Sequence, residues 1–469
     1  MMIRKRSLLA AALVAALTAC SGGGTKTTAT VPIPLTVAAP SVSIAGVGDS
    51  LTQGTQSNGT LGVPTANPVP GSLFGPIVPP TQPNGFFALL WTQANGGVNT
   101  TGNPASSPLA LMAGPGIGTV LVPSATGAPT PIVAPCGGNN TLAFTYSTAL
   151  QARANPTVTP FDVAVPGQTV HEALFMTAPE DASCAATAPG PLSGIASLVG
   201  SESVDFWPVL GNFPQGTTQV QAAAQLHAKF ATVWLGSNDL LKFTFALGQI
   251  APTDPGQMQT DMVQIIRTLQ ASGSKVLVAN LFPILNAALF IPQPALQQAL
   301  TAFGGAAAGA ATPLVKAQLQ SVYGVGTGGY VTVSGISKIL AALGAGQTTF
   351  TLGGGDFVPD ALATQVNALN TAYNASIKAA ATQTGAALVD INTSVNAIVA
   401  AGGLPVNPPK CCTLQFGGGF FSLDGLHPSN TGYAVSANVF INAMNSAYGT
   451  SVPQVNVAAI YATDPFAPH

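Results

Sequence analysis

Five short stretches of almost unbroken apolar residues, each closed by a turn signal, constrain this chain more than any other feature in it. They run over Val42–Val47, Phe161–Val165, Ala231–Leu235, Lys275–Leu281 and Ala386–Ile391. A strand with one face in water alternates apolar and polar residues. These do not, so both faces are buried, as in a parallel sheet covered by helices. Helical spacing lies between and after them. Pro83–Ala94 carries Phe86, Phe87, Leu89, Leu90 and Trp91, and Gln257–Leu269 sets Met258, Met262, Ile265 and Ile266 on one face. Asp360 is expected to cap a segment reaching about Thr382, and Ser429 to open a last helix to Met444. Strands alternating with helices of this length predict a three-layer α/β domain over 41–450, followed by a tail at 451–469. Three stretches, 52–82, 96–160 and 285–355, are rich in Gly, Pro, Thr and Ser and too long for ordinary βα connections. They read as large loop insertions that shape or cover a site.

Composition narrows the function. Of 469 residues only 6% are charged, with 13 Lys and Arg against 15 Asp and Glu. An average domain carries about 25%. With no basic excess to hold phosphates, a nucleic-acid partner is excluded. Beyond the first twenty residues no run approaches the roughly 18 apolar residues of a membrane span, which excludes a polytopic membrane protein.

The first residues describe export. Arg4, Lys5 and Arg6 precede a short apolar run from Ser7 to Leu17, which is too short to span a bilayer and has the form of a removable signal, residues 1–19. It ends in Leu17-Thr18-Ala19-Cys20, which resembles a bacterial lipobox, with Cys20 as the lipidated residue and 20–40 as a spacer. Acyl chains there would hold the protein to a membrane. Ser21 after the Cys, rather than Asp, is similar to lipoproteins sent to the outer membrane. The expected place is therefore the cell envelope. Of the other cysteines, Cys136, Cys184, Cys411 and Cys412 fit no zinc spacing. In an oxidising envelope two disulfides are expected. A bond between the neighbours Cys411 and Cys412 requires a strained ring, so each is expected to pair with a distant partner.

The polar residues that carry chemistry stand at the ends of the apolar runs. The first run ends in Gly48-Asp49-Ser50-Leu51, placing a Ser where α/β folds form their ligand sites; a turn Ser serving a local amide fits as well. The second ends in Val165-Pro166-Gly167, where a glycine lets its N–H approach an anion, or simply makes a turn. The third ends in Gly236-Ser237-Asn238-Asp239, with an amide donor at the same edge that also suits a helix cap. Near the end comes Asp424-Gly425-Leu426-His427-Pro428. Three-residue spacing across a turn can bring the carboxylate to Nδ1 of the His and turn Nε2 towards a hydroxyl; a surface Asp–His pair is the plainer reading. His171, His227 and His469 lack this arrangement, although His171 could line the cleft.

In this order the motifs resemble the SGNH/GDSL hydrolase family. Gly48-Asp49-Ser50-Leu51 matches its first block, Gly167 its second, Gly236-Ser237-Asn238-Asp239 its third and Asp424-Gly425-Leu426-His427 its fifth. The resemblance implies a flavodoxin-like α/β/α fold with a parallel sheet of about five strands, and ester hydrolysis through an acyl-enzyme. It implies Ser50 as nucleophile, His427 as base and then acid, and Asp424 as its orienting partner. It further implies an oxyanion hole of Ser50, Gly167 and Asn238, with no metal and no cofactor. The implied partner is a lipid, short-chain acyl or acetylated-sugar ester, with acyl transfer to an alcohol as a variant of the same chemistry. A non-catalytic envelope lipoprotein using the fold as a binding module is the alternative. A nucleotide site is excluded by the first loop, which lacks a phosphate-cradling run of Gly, Ser and Thr with a basic partner.

Overall fold

The computed structural model describes residues 41–467 apart from 70–71, 73, 115, 119–120, 123–129, 132–142, 146–148, 178–180, 184–205 and 406–410. Cys20, Cys136, Cys184 and His469 lie outside the described residues. Four strands, β1 (Ile44–Gly48), β2 (Phe230–Trp234), β3 (Lys275–Ala279) and β4 (Ala387–Val389), form one sheet in the order β1-β2-β3-β4. All three pairings are parallel, with Ile44 opposite Phe230, Phe230 opposite Lys275 and Leu277 opposite Ala387. The apolar runs explain why: every residue of β1 and β2 is buried, so neither face is left to water.

The remaining apolar run, Phe161–Val165, lies along the free edge of β1. Gly46 N–H donates to Phe161 O at 2.8 Å, while Val163 and Val165 N–H donate to Gly46 O and Gly48 O at 3.0 and 3.1 Å. Asp162 bridges Gly46 in the parallel sense. The five expected runs therefore stand in the spatial order second, first, third, fourth, fifth. In that order the chain reverses its direction of travel across the sheet at β1, and a crevice opens beyond the carboxyl ends of the strands on either side of that reversal.

Two helical layers cover the sheet. On one face the helices Phe86–Ala94 and Asn430–Tyr448 pack together, and the Phe86 ring lies 4.6 Å from Phe440 and 5.1 Å from Trp234. On the other face Pro255–Ala271 packs against Asp360–Thr384 and Gln219–Gln225. Ser429 caps the helix Asn430–Tyr448 by accepting from Gly432 N–H, as expected, but this is not the last helix, since a short one, Val457–Tyr461, follows it. Asp360 does not cap its helix: it is the first helical residue, behind Pro359, and its carboxylate takes Gly326 N–H at 2.7 Å.

The insertion at 285–355 folds as an appendage. Its short strands Phe290–Pro292 and Tyr330–Thr332 join Phe357–Val358 in an antiparallel sheet. With three helices between Leu296 and Gly344 they enclose a second apolar cluster around Leu300, Val315, Leu319, Val331 and Ile339. The stretch read as a tail is, in its described part, packed against the helix Asn430–Tyr448 and carries a short helix of its own, Val457–Tyr461. Asp464 is fully buried there and accepts from Thr431 N–H at 2.7 Å.

The expectation for the paired cysteines is corrected. Cys411 and Cys412 are bonded to each other, with Cα atoms 3.7 Å apart. The backbone makes this possible, because Cys412 takes a left-handed conformation (φ 67°) that turns consecutive side chains towards one side, and both residues are buried. Among the described residues no helix is long and apolar enough to cross a membrane.

Candidate active site

Gly48 closes β1 and Asp49 caps a one-turn helix, Ser50–Gln53, by accepting from Leu51 N–H at 3.0 Å. The chain can turn this sharply because position 48 is a glycine; a Cβ there would run into the side chain of Thr52. The first N–H groups of a helix have no partner within it. Asp49 takes that of Leu51, while among the described residues the N–H of Ser50 has no acceptor, and neither has that of Gly167. Gly167 sits at φ 88°, which favours glycine, at the end of the segment beside β1.

The histidine that meets Ser50 comes from the other end of the chain. In the loop before the helix Asn430–Tyr448, Asp424 Oδ1 accepts from Leu426 and His427 N–H, both at 2.8 Å, a turn closed by the side chain itself. Asp424 Oδ2 then lies 2.7 Å from His427 Nδ1, and His427 Nε2 lies 2.8 Å from Ser50 Oγ. The spacing of Asp424 and His427 thus produces the contact the sequence suggested. Burial, the largest influence on the Asp424 carboxyl, pushes it up; the His427 charge and hydrogen bond and the two turn amides outweigh this and hold it below the usual carboxylate value. An ionised Asp424 fixes Nδ1 as the donor and leaves Nε2 to accept from the serine.

Asn238 stands in the first turn of the helix Ser237–Phe245, behind Gly236 at φ 116°. Its Nδ2 is 3.1 Å from Asp49 Oδ2 and 3.1 Å from Gln168 O, so the side chain is pinned beside Ser50. Both hydrogens already have acceptors. The recess bounded by Asp49, Ser50, Asn238, Phe282, Ile284, Leu426 and His427 has a volume of about 10 Å³, room for one water.

Two further groups hold this arrangement, and the sequence did not single them out. Gln219 is fully buried and bonds both ends of the Gly48 peptide group pair, accepting from Gly48 N–H at 2.8 Å and donating to Gly48 O at 2.8 Å. It also donates to Gln168 Oε1 at 2.7 Å, tying the end of β1 to the Gly167 loop. The run Thr218–Gln221, a capping box, signals where that helix begins but not that Gln219 points inward. The second group is the tight turn at Ser57-Asn58, both at positive φ, whose Asn58 N–H donates to Asp424 Oδ2 at 2.6 Å. The Asn58-Gly59 pair is a hairpin signal, yet nothing local shows what its N–H meets. His171 does not line the recess: its exposed ring pairs with the buried Asp261 at 2.9 Å. His227 Nδ1 lies 3.2 Å from Ser272 O, away from the site.

Comparison with known proteins agrees with the motifs. A profile of the GDSL-like Lipase/Acylhydrolase family matches residues 194–435, just over half of the chain and including Asn238, Asp424 and His427. The chain belongs to this family. It is thus a hydrolase of the lipase and acylhydrolase type, on an α/β fold. No curated protein matches it in sequence. Among solved structures, the crystal structure of LAE5, an alpha/beta hydrolase enzyme from the metagenome of Lake Arreo, Spain, is similar at 11% identity. That alignment covers 87% of this chain and 97% of LAE5, with a TM-score of 0.33.

Proposed function

We propose that this family member hydrolyses carboxylic esters through an acyl-enzyme formed on Ser50. The observation that carries the reading is the unbroken line of short contacts from Asp424 through His427 to Ser50 Oγ. His427 Nε2 takes the Ser50 proton as Oγ attacks the ester carbonyl, and the imidazolium that forms is stabilised by Asp424. The carbonyl oxygen, now an anion, receives the N–H groups of Ser50 and Gly167 and shares the Asn238 amide. His427 returns the proton to the departing alcohol. Water then enters, loses a proton to the same nitrogen and releases the acid.

The test is turnover of p-nitrophenyl esters from acetate to palmitate by the chain without Cys20, beside its Ser50→Ala variant, with a serine-directed phosphonate as label. Turnover and labelling that both vanish in the variant are expected. Activity retained by Ser50→Ala would end the mechanism. For location, the lipobox-like run supports export and anchoring through acyl chains on Cys20. Cells fed a tagged fatty acid should label the chain and leave a Cys20→Ala variant unlabelled; equal labelling of both would remove the anchor.

A further inference from the structure

The recess at Ser50 holds about one water, so everything in a substrate beyond the reacting carbonyl must lie elsewhere. A groove of about 540 Å³ begins next to it. The two share a wall: in the segment after β3, Phe282 and Ile284 face the recess, while Leu285, Ala288 and Phe290 face the groove. This segment is joined to the catalytic turn itself. Leu289 N–H donates to Gly425 O at 2.7 Å, and Gly425 sits so close that a Cβ on it would lie 2.7 Å from Leu289 N and 3.0 Å from the Ala288 carbonyl carbon. The groove thus starts one residue from the link between Asp424 and His427.

Its opposite walls come from two bodies. The insertion supplies Ile291, Ala299 and Phe303; the main domain supplies Ile398, Val399 and Phe416. Phe303 and Phe416 meet edge to face at 5.1 Å and tie the two sides together. Among the described residues no charged side chain lines the groove, and Val399 stays 48% exposed on its wall although it is a large apolar residue. The volume falls within the roughly 300–1,000 Å³ of small-molecule sites.

From the shared wall, the predominantly apolar lining and the size, we infer that this seam is the binding site for the aliphatic acyl chain of the substrate, so that the enzyme acts on medium- or long-chain acyl esters. The inference rests on the ester-hydrolase reading. Polar side chains such as Asn286, Gln298 and Gln415 also line the groove, but the apolar walls of Ile291, Phe303, Ile398, Val399 and Phe416 predominate, and each methylene that enters is worth about fourfold in affinity.

The experiment compares kcat/KM for the p-nitrophenyl esters of acetate and laurate in the wild type, Ala299→Trp and Val399→Trp, the last two narrowing the groove from opposite walls. Leu314→Trp, 46% exposed on the insertion, controls for a bulky residue in that body. The wild type should prefer laurate. Displacing about two methylenes should lower the laurate-to-acetate ratio at least tenfold in both groove variants, and Leu314→Trp should keep the wild-type ratio. A wild type indifferent to chain length, groove variants with unchanged ratios, or an equal loss in Leu314→Trp would each overturn the proposal. Binding of cis-parinaric acid to Ser50→Ala separates this from the hydrolase reading. If no ester is turned over yet the probe binds, and binds at least tenfold more weakly when Ala299→Trp is added, the groove stands and the hydrolase reading fails. Failure of the probe to bind overturns the groove.

Discussion

Asp424→Asn should leave the protein folded and reduce kcat by about 10⁴, because it installs the wrong histidine tautomer. The reasoning follows from what surrounds the carboxylate. Oδ1 faces two backbone donors, Leu426 and His427 N–H; Oδ2 faces one backbone donor, Asn58 N–H, and His427 Nδ1. An asparagine must put its NH₂ on one side. On the Oδ1 side it opposes two N–H groups, and each orphaned donor in a buried site costs about 1–3 kcal/mol. On the Oδ2 side it opposes only Asn58, which is exposed and can turn to water, while His427 adapts by moving its proton to Nε2. The second orientation avoids opposing two donors and meets only an exposed one, a difference of roughly 2–6 kcal/mol, or about 30- to 10⁴-fold in population. In it the Nε2–H points at Ser50 Oγ and can no longer accept the serine proton, and the lost charge no longer stabilises the imidazolium. Steady-state kinetics on p-nitrophenyl acetate measures the loss, and ¹⁵N NMR of His427 reads the tautomer. A variant within tenfold of wild type, or one that loses activity while keeping Nδ1–H, would refute the argument.

Two other outcomes follow from the same geometry. Asn238→Ala should lower kcat by about 10²–10³ with little change in KM, because the shared amide matters chiefly once the oxyanion has formed; a change in KM alone would remove Asn238 from the oxyanion hole. Asp49 tests the burial of the site by pH. Desolvation pushes its carboxyl from 3.8 up to about 7, against the opposing pull of Leu51 N–H and the His427 charge. A raised carboxyl binds its proton more tightly in the folded state, so its contribution to stability is full below 3.8 and is lost as pH rises through about 7. The urea-unfolding free energy of wild type minus that of Asp49→Asn should therefore fall steadily over this range, and a difference independent of pH would contradict the assignment.

How much of this was legible in the sequence depends on how far apart the interacting residues lie. The pairing of Asp424 with His427 was readable because it is made within one turn, three residues long, by the aspartate's own side chain. The sheet was readable because burial on both faces leaves a mark on each run separately. Phe161–Val165 was also recognised as extended, and its hydrogen bonds to β1 place it in the ladder. The insertion's sheet was not readable, since strands of two or three residues have no pattern of their own and exist through their partners. Cys411 and Cys412 show the opposite failure: a local rule about ring strain gave the wrong partner, because it assumed an ordinary backbone where Cys412 has a positive φ.

Gln219 and Asn58 mark where local reading stops at the site itself. Gln219 reaches Gly48 across 171 residues, and Asn58 reaches Asp424 across 366. Neither carries chemistry, and an isolated Gln or a turn N–H has no motif. Yet the first fixes the strand end from which Ser50 projects, and the second gives Asp424 the donor that makes one orientation of the Asp424→Asn amide cheaper than the other. The reacting groups are encoded in short blocks that survive as blocks because their geometry is made nearby. Their alignment is encoded in single residues scattered over the chain, which acquire a meaning only after the sheet has brought its carboxyl edge together. A substitution at Gln219 would thus leave every recognisable motif in place while loosening the distance between Ser50 and the Gly167 loop on which the proposed oxyanion hole depends.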